Sequence, residues 1–193
     1  MNGTGEDELL FESPEDKWPA SVSFDGTLLL FAQVTSGARG TDIYALPLGK
    51  TGGEGRSPFP VVSTAFQDYD AVMSPDGRWI AYVSNESGFQ VYVQPFPATG
   101  ARVRVSTTCA GNPHWSADGK ELFFACGAPA TTSILAVDVT VPLRPGPPRE
   151  VFSGRWQAWA IDPSGRRLLA TPASETNTSP ITVITHWIAN WKK

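Results

Sequence analysis

Apolar and polar positions alternate along most of this chain in short runs, and nearly every run stops at Gly, Pro, Asn or Asp. That is the pattern of strands rather than helices. Some runs, such as Arg78–Ser84 (RWIAYVS) and Glu121–Gly127 (ELFFACG), are apolar on both alternating faces. Strands read this way when their sheet is covered on both sides by neighbouring sheets. β-Branched and aromatic residues fill the runs, as a pleated, buried surface favours. Only Val183–Trp191 (VITHWIANW) has helical spacing; Ile184, Trp187, Ile188 and Trp191 would also suit a short helix.

A turn phrase punctuates the pattern four times: Ser23–Gly26 (SFDG), Ser74–Gly77 (SPDG), Ser116–Gly119 (SADG) and Asp162–Gly165 (DPSG). The glycines lie 51, 42 and 46 residues apart, a period that suits one supersecondary unit per repeat. In SPDG, Pro75 presets the first corner, Asp76 tolerates the second, and Gly77 takes the left-handed conformation that closes a three-residue hairpin loop. Pro75 gives way to Phe24 and Ala117, and the aspartate to Ser164, but the glycine stays in all four copies. Asp25, Gly26, Asp76, Gly77, Asp118, Gly119 and Gly165 therefore read as turn residues with a backbone role, not as catalytic acids.

Reading outward from each turn assigns strands to four units. The first takes Pro19–Phe24, Thr27–Gln33, Thr41–Leu48 and Ser57–Thr64. The second takes Gln67–Met73, Arg78–Ser84, Phe89–Phe96 and Ala101–Thr107. The third takes Asn112–Ser116, Glu121–Cys126, Ser133–Val141 and Arg149–Ser153. The fourth has only Gln157–Ile161, Arg166–Thr171 and Ile181–Trp191. The expectation is one all-β domain over residues 1–193, a β-propeller of about four four-stranded blades at 14–64, 65–107, 108–154 and 155–191. Residues 8–13 (ELLFES) would complete the last blade, closing the ring and removing exposed edges. The alternative is that the chain is half of a larger ring, assembled as a homodimer.

The chain's 193 residues, 41% apolar and 18% charged, describe an ordinary globular protein, and its 18 Gly and 17 Pro suit many tight turns. A net charge of -4 without a basic run argues against nucleic acid as a partner. The acidic start MNGTGEDELLF does not read as a secretory signal, and no stretch is apolar enough to span a bilayer.

The phrase SPDGRWIAYVSNESGFQVYVQPFP resembles the WD40-like blades of TolB-type propellers. More narrowly, it is similar to the propeller that follows the kinase domain in many bacterial serine/threonine protein kinases. HWSADGKELFF and the closing ITVITHWIANW resemble that family's late blade and ending. The resemblance implies a non-catalytic C-terminal module, held outside the membrane when linked through a spanning helix to a kinase in cis, and cytoplasmic if detached. This chain contains no Gly-rich phosphate loop, HRD-like loop or DFG, so it carries no kinase domain itself.

Catalytic constellations are sparse. No G-x-S-x-G is present, and His114 and His186 lack metal-ligand spacing, so neither a cofactor nor a metal is expected. His114, beside Trp115, is either a channel-lining residue or a hydrogen-bonded structural histidine. S-x-D-G lacks the spacing of the sialidase Asp-box. Asp68 and Asp70, in FQDYD, read as solvated or turn-capping acids before an inner strand. A hairpin closing at Ala117–Gly119 sets Cys126 opposite Ala110 or Gly111, next to Cys109. A Cys109–Cys126 disulfide and a pair of buried thiols both remain open.

In this strand order, the loops opposite the tetrapeptide turns gather on one face. That face carries Trp18, Arg39, Asp68, Tyr69, Glu86, Phe89, His114, Trp156 and Trp159, aromatics with mixed charge that suit protein, peptide or small-ligand recognition. The leading expectation is a non-catalytic binding or sensory module. A hydrolase or lyase at the channel mouth and an oligomerising scaffold are the alternatives.

Overall fold

The computed structural model describes residues 9–35, 40–49, 56–108, 110–128, 131–162, 167–172 and 182–185. Fifteen strands run through them: β1 (Lys17–Val22), β2 (Leu28–Val34), β3 (Thr41–Pro47), β4 (Phe59–Val62), β5 (Asp68–Met73), β6 (Trp79–Ser84), β7 (Gln90–Pro95), β8 (Val103–Arg104), β9 (Gly111–Trp115), β10 (Glu121–Ala128), β11 (Thr131–Asp138), β12 (Arg149–Gly154), β13 (Trp156–Ile161), β14 (Arg167–Pro172) and β15 (Thr182–Thr185). They form four antiparallel meanders: β1 to β4, β5 to β8, β9 to β12 and β13 to β15. Each meander is one blade. The described part of the helix-like closing segment, Thr182–Thr185, is a strand paired to β14.

The tetrapeptide turns explain the first hairpin of each blade. The Ser74 hydroxyl donates to Asp76 at 2.6 Å and accepts the Trp79 amide at 3.0 Å, while the Arg78 amide bonds Asp76 at 3.1 Å. The same lattice recurs around Ser23 with Asp25 and around Ser116 with Asp118. The three turn glycines have φ of 69° to 73°, a region costly for a residue with a Cβ. In the fourth copy Asp162 stands in for the serine, accepting the Arg167 amide at 2.9 Å. Gly165 lies outside the described residues.

Period-two alternation sorts side chains into the seams between blades. Leu30, Ile43 and Ala45 of the first blade pack on Ala71, Ile80, Tyr82 and Tyr92 of the second. Ala81, Val83, Val91 and Val93, on the other side of the second blade, meet Trp115, Leu122, Phe124 and Val137 of the third. Phe123, Ile134 and Ala136 then meet Trp159, Ile161, Leu168 and Ala170 of the fourth. At about 25 cal/mol per Å² of apolar surface buried, these seams are the main stabilising term. Among the described residues no such cluster joins the fourth blade back to the first.

The expected strand at 8–13 does not form within the described residues 9–13. Phe11 instead packs on Phe31 of β2, ring centroids 6.1 Å apart, and Phe31 stacks on Tyr44 of β3. The reason is burial: Phe31 and Leu46 lie on the side of the first blade that has no neighbouring sheet among the described residues, and Phe11 and Leu10 cover it. The fourth blade accordingly has three strands among the described residues.

Candidate functional site

The first strands of the blades, β1, β5, β9 and β13, each depart from regular pairing. One extra residue interrupts the register between Pro19 and Ser21, between Tyr69 and Val72, opposite the Phe123–Ala125 step in β9, and between Trp156 and Ala158. Such bulges re-aim side chains. In the second and third blades the bulge puts Asp70 and Asn112 at φ of 52° and 53°, the only non-glycine residues with positive φ among those described. Both stand seven positions before the turn glycine. Asp and Asn are the side chains that tolerate this region best. Pro19 holds the same place in the first blade, where its ring forbids positive φ, and there the extra residue is Ala20.

The bulge at Asp70 separates two acids that a regular strand would aim together. Asp68 is fully buried. It belongs to a polar row across the second blade: Asp68 pairs Ser84, Ser84 pairs Gln90, and Gln90 accepts a bond from Ser106 at 2.5 Å. Thr64 donates to Asp68 at 2.6 Å, and burial pushes its carboxyl above the usual carboxylate range. The expectation that Asp68 faces a partner is therefore corrected, because its side chain is sealed inside the protein. Asp70 points the other way, its side chain open to solvent. It is walled around closely enough that desolvation pushes its carboxyl up as well.

Asp70 opens into a recess of about 390 Å³ between β1 and β5, walled by Trp18, Pro19, Ala20, Gln67 and Tyr69. Two cross-blade ties hold the walls: the Thr41 hydroxyl donates to the Asp68 carbonyl at 3.0 Å, and the Ser21 hydroxyl to the Ala71 carbonyl at 2.7 Å. Trp18 is 52% exposed. Tyr69 is half-buried and backed edge-on by Phe89, centroids 6.0 Å apart. Desolvation and the Asp70 charge push the Tyr69 phenol up. Trp18 and Tyr69 thus meet at one place, with Phe89 behind them.

The remaining candidates lie elsewhere. Glu86 pairs with Arg102 at 2.8 Å. His114 meets Trp159 edge-on, centroids 4.7 Å apart, at the junction of the third and fourth blades. Burial pushes the His114 imidazole down, so it is neutral at physiological pH. Among the described residues its Nε2 and the Trp159 Nε1 are buried without a hydrogen-bond partner, and Trp159 packs against the core clusters of the third and fourth blades. Arg39 and the Trp156 side chain lie outside what the structure describes. Cys126 is disulfide-bonded, and Cys109 is outside the described residues. Among the described residues no three His, Cys, Asp or Glu side chains gather as metal ligands. No described helix is long and apolar enough to cross a membrane.

Reading the chain named Asp70 as a solvated or turn-capping acid and left it off the recognition face. Its signal was there: an Asp and an Asn at the same distance before two turn glycines, both types that accept a left-handed bulge.

The architecture is a TolB-type β-propeller. The chain superposes on TolB from Acinetobacter baumannii with a TM-score of 0.71 at 18% identity, covering 95% of this chain and 44% of that one. A putative TolB from Agrobacterium tumefaciens gives 0.67 at 18%, covering 86% and 60%. An oligogalacturonate lyase in complex with manganese gives 0.67 at 14%, covering 93% and 54%. The chain therefore spans roughly half the length of these proteins. No family model matches it, and no curated protein does. The same fold serves a lyase as well as TolB, so function has to be argued from the site.

Proposed function

We propose that this chain is a binding module that takes a protein, peptide or small ligand in the recess between β1 and β5. The observation that carries the reading is the recess itself: an exposed Trp18 and a Phe89-backed Tyr69 flank a concavity with one carboxylate at its wall. Solvent-exposed aromatics beside a polar anchor are the composition of recognition hot spots. A non-catalytic role, as the C-terminal propeller of a bacterial serine/threonine kinase-type receptor or a detached relative of one, is supported by the resemblance of Ser74–Pro97 and His114–Phe124 to that family's blades.

The test is selection of a random peptide library on the full chain. Peptides enriched on the native protein should be lost on Trp18→Ala and on Tyr69→Ala while the circular dichroism of both variants is unchanged. Peptides that bind all three proteins equally would move the site away from this recess.

A further inference from the structure

We infer that the recess is built for a cationic group, the guanidinium or ammonium of a basic side chain presented by a peptide or protein. The inference rests on the recess being the binding site and names what it selects.

Two properties of the walls converge on a positive charge. Trp18 and Tyr69 offer indole and phenol rings, and the faces of such rings attract cations, Trp most strongly. The one formal charge among the described lining residues is the Asp70 carboxylate. It is placed to act: open to solvent, yet surrounded closely enough that a cation brought beside it would be less screened than at a flat surface. Among the described residues its one internal bond is long, from the Asn112 amide to Oδ2 at 3.3 Å, which leaves Oδ1 for a ligand.

The cation adjacent in the chain to Trp18 is already engaged. Lys17, one residue before Trp18, donates its ammonium to the carbonyls of Ser13 and Glu15 at 2.8 and 2.6 Å. Asp70 also keeps its carboxylate where the repeat needs only a residue tolerant of positive φ; Asn112 fills the same place in the next blade without a charge. The bulge is architecture common to both blades. The charge is specific to the blade that walls the recess.

The experiment measures fluorescence anisotropy of labelled Gly-Arg-Gly and Gly-citrulline-Gly peptides on the full chain, citrulline being the neutral isostere of arginine. The arginine peptide should bind at least tenfold more tightly, and Asp70→Asn, which keeps a residue tolerant of positive φ, should abolish the preference. Glu86→Gln, which removes a carboxylate outside the recess, should leave it intact. Equal binding of the two peptides, both lost on Trp18→Ala, would overturn the cation selectivity while leaving the recess as the site. Binding of neither peptide, with Trp18-dependent library peptides still found, would overturn the selectivity alone. Absence of any Trp18-dependent peptide would overturn both.

Discussion

The Asp70 carboxylate accepts the backbone amide of Asn112 at 3.3 Å, and the two residues share the left-handed conformation at the same place in adjacent blades. One bulge thus reaches toward the next, tying neighbouring first strands together. The tie also fixes which acid of the Asp68–Tyr69–Asp70 triplet faces solvent.

That conformation makes a prediction about side-chain shape. Asp70→Val places a β-branched residue at positive φ and should lower stability by about 1–2 kcal/mol, whereas Asp70→Asn should change it by less than about 0.5 kcal/mol. Urea unfolding of both variants measures the difference. Equal losses would mean that backbone conformation at the bulge does not limit the substitution.

The turn phrase should be stabilising wherever it is complete. Ser74 is buried, and its hydroxyl both donates to Asp76 and accepts the Trp79 amide. Ser74→Ala removes both bonds and strands a donor, so a loss of about 1–3 kcal/mol is expected in urea unfolding. Phe24→Pro, which restores the proline of the second copy at an exposed corner, should be neutral or stabilising by up to about 1 kcal/mol. A large loss at Phe24→Pro would show that this corner does not adopt the proline-compatible turn.

The pH dependence has opposing parts. Burial raises the folded-state value of Asp68, so its contribution is most favourable below the ordinary aspartate value of 3.8 and is lost as pH rises through the folded value. Asp25 and Asp118 run the other way: bonds from Ser23 and Ser116 lower them, so their contribution is present above 3.8 and is lost as pH falls. Asp68→Asn should therefore be more stable than the native chain near neutral pH, with the advantage shrinking as pH drops toward 3.8. A constant difference across pH 3 to 8 would place the effect in packing and not in ionisation.

The Cys109–Cys126 pairing proposed from hairpin register predicts one bridge and no free thiol. The native protein should take up no maleimide without reductant and two equivalents after reduction and unfolding, since the chain has two cysteines. Closing a loop of about 15 residues is worth about 3 kcal/mol, so reduction should lower the unfolding midpoint. Uptake of maleimide before reduction would break the assignment.

Much of the fold was legible because it rests on local chemistry. The S-x-D-G turns mark hairpins through hydroxyl–carboxylate–amide bonds made within six residues of chain, and alternation marks the strands between them. The site was legible only in part. Trp18, Tyr69 and Phe89 were expected together because loops at one end of a blade share a face; in the structure Trp18 and Tyr69 line one recess and Phe89 packs on Tyr69. Asp68 and Asp70 were both read as solvated or turn-capping acids, because nothing local in FQDYD shows that a bulge buries one and leaves the other open.

The chain by itself determined the repeat, the hairpins and the propeller class, since turn geometry and period-two burial are properties of neighbouring residues. Only tertiary structure decided that residues 9–13 lie on the first blade, that Asp68 is sealed and that Asp70 is open. Those outcomes depend on which blade face lacks a neighbour and on a bulge held by packing and bonds between strands about 40 residues apart in the chain. No local pattern encodes such a relationship.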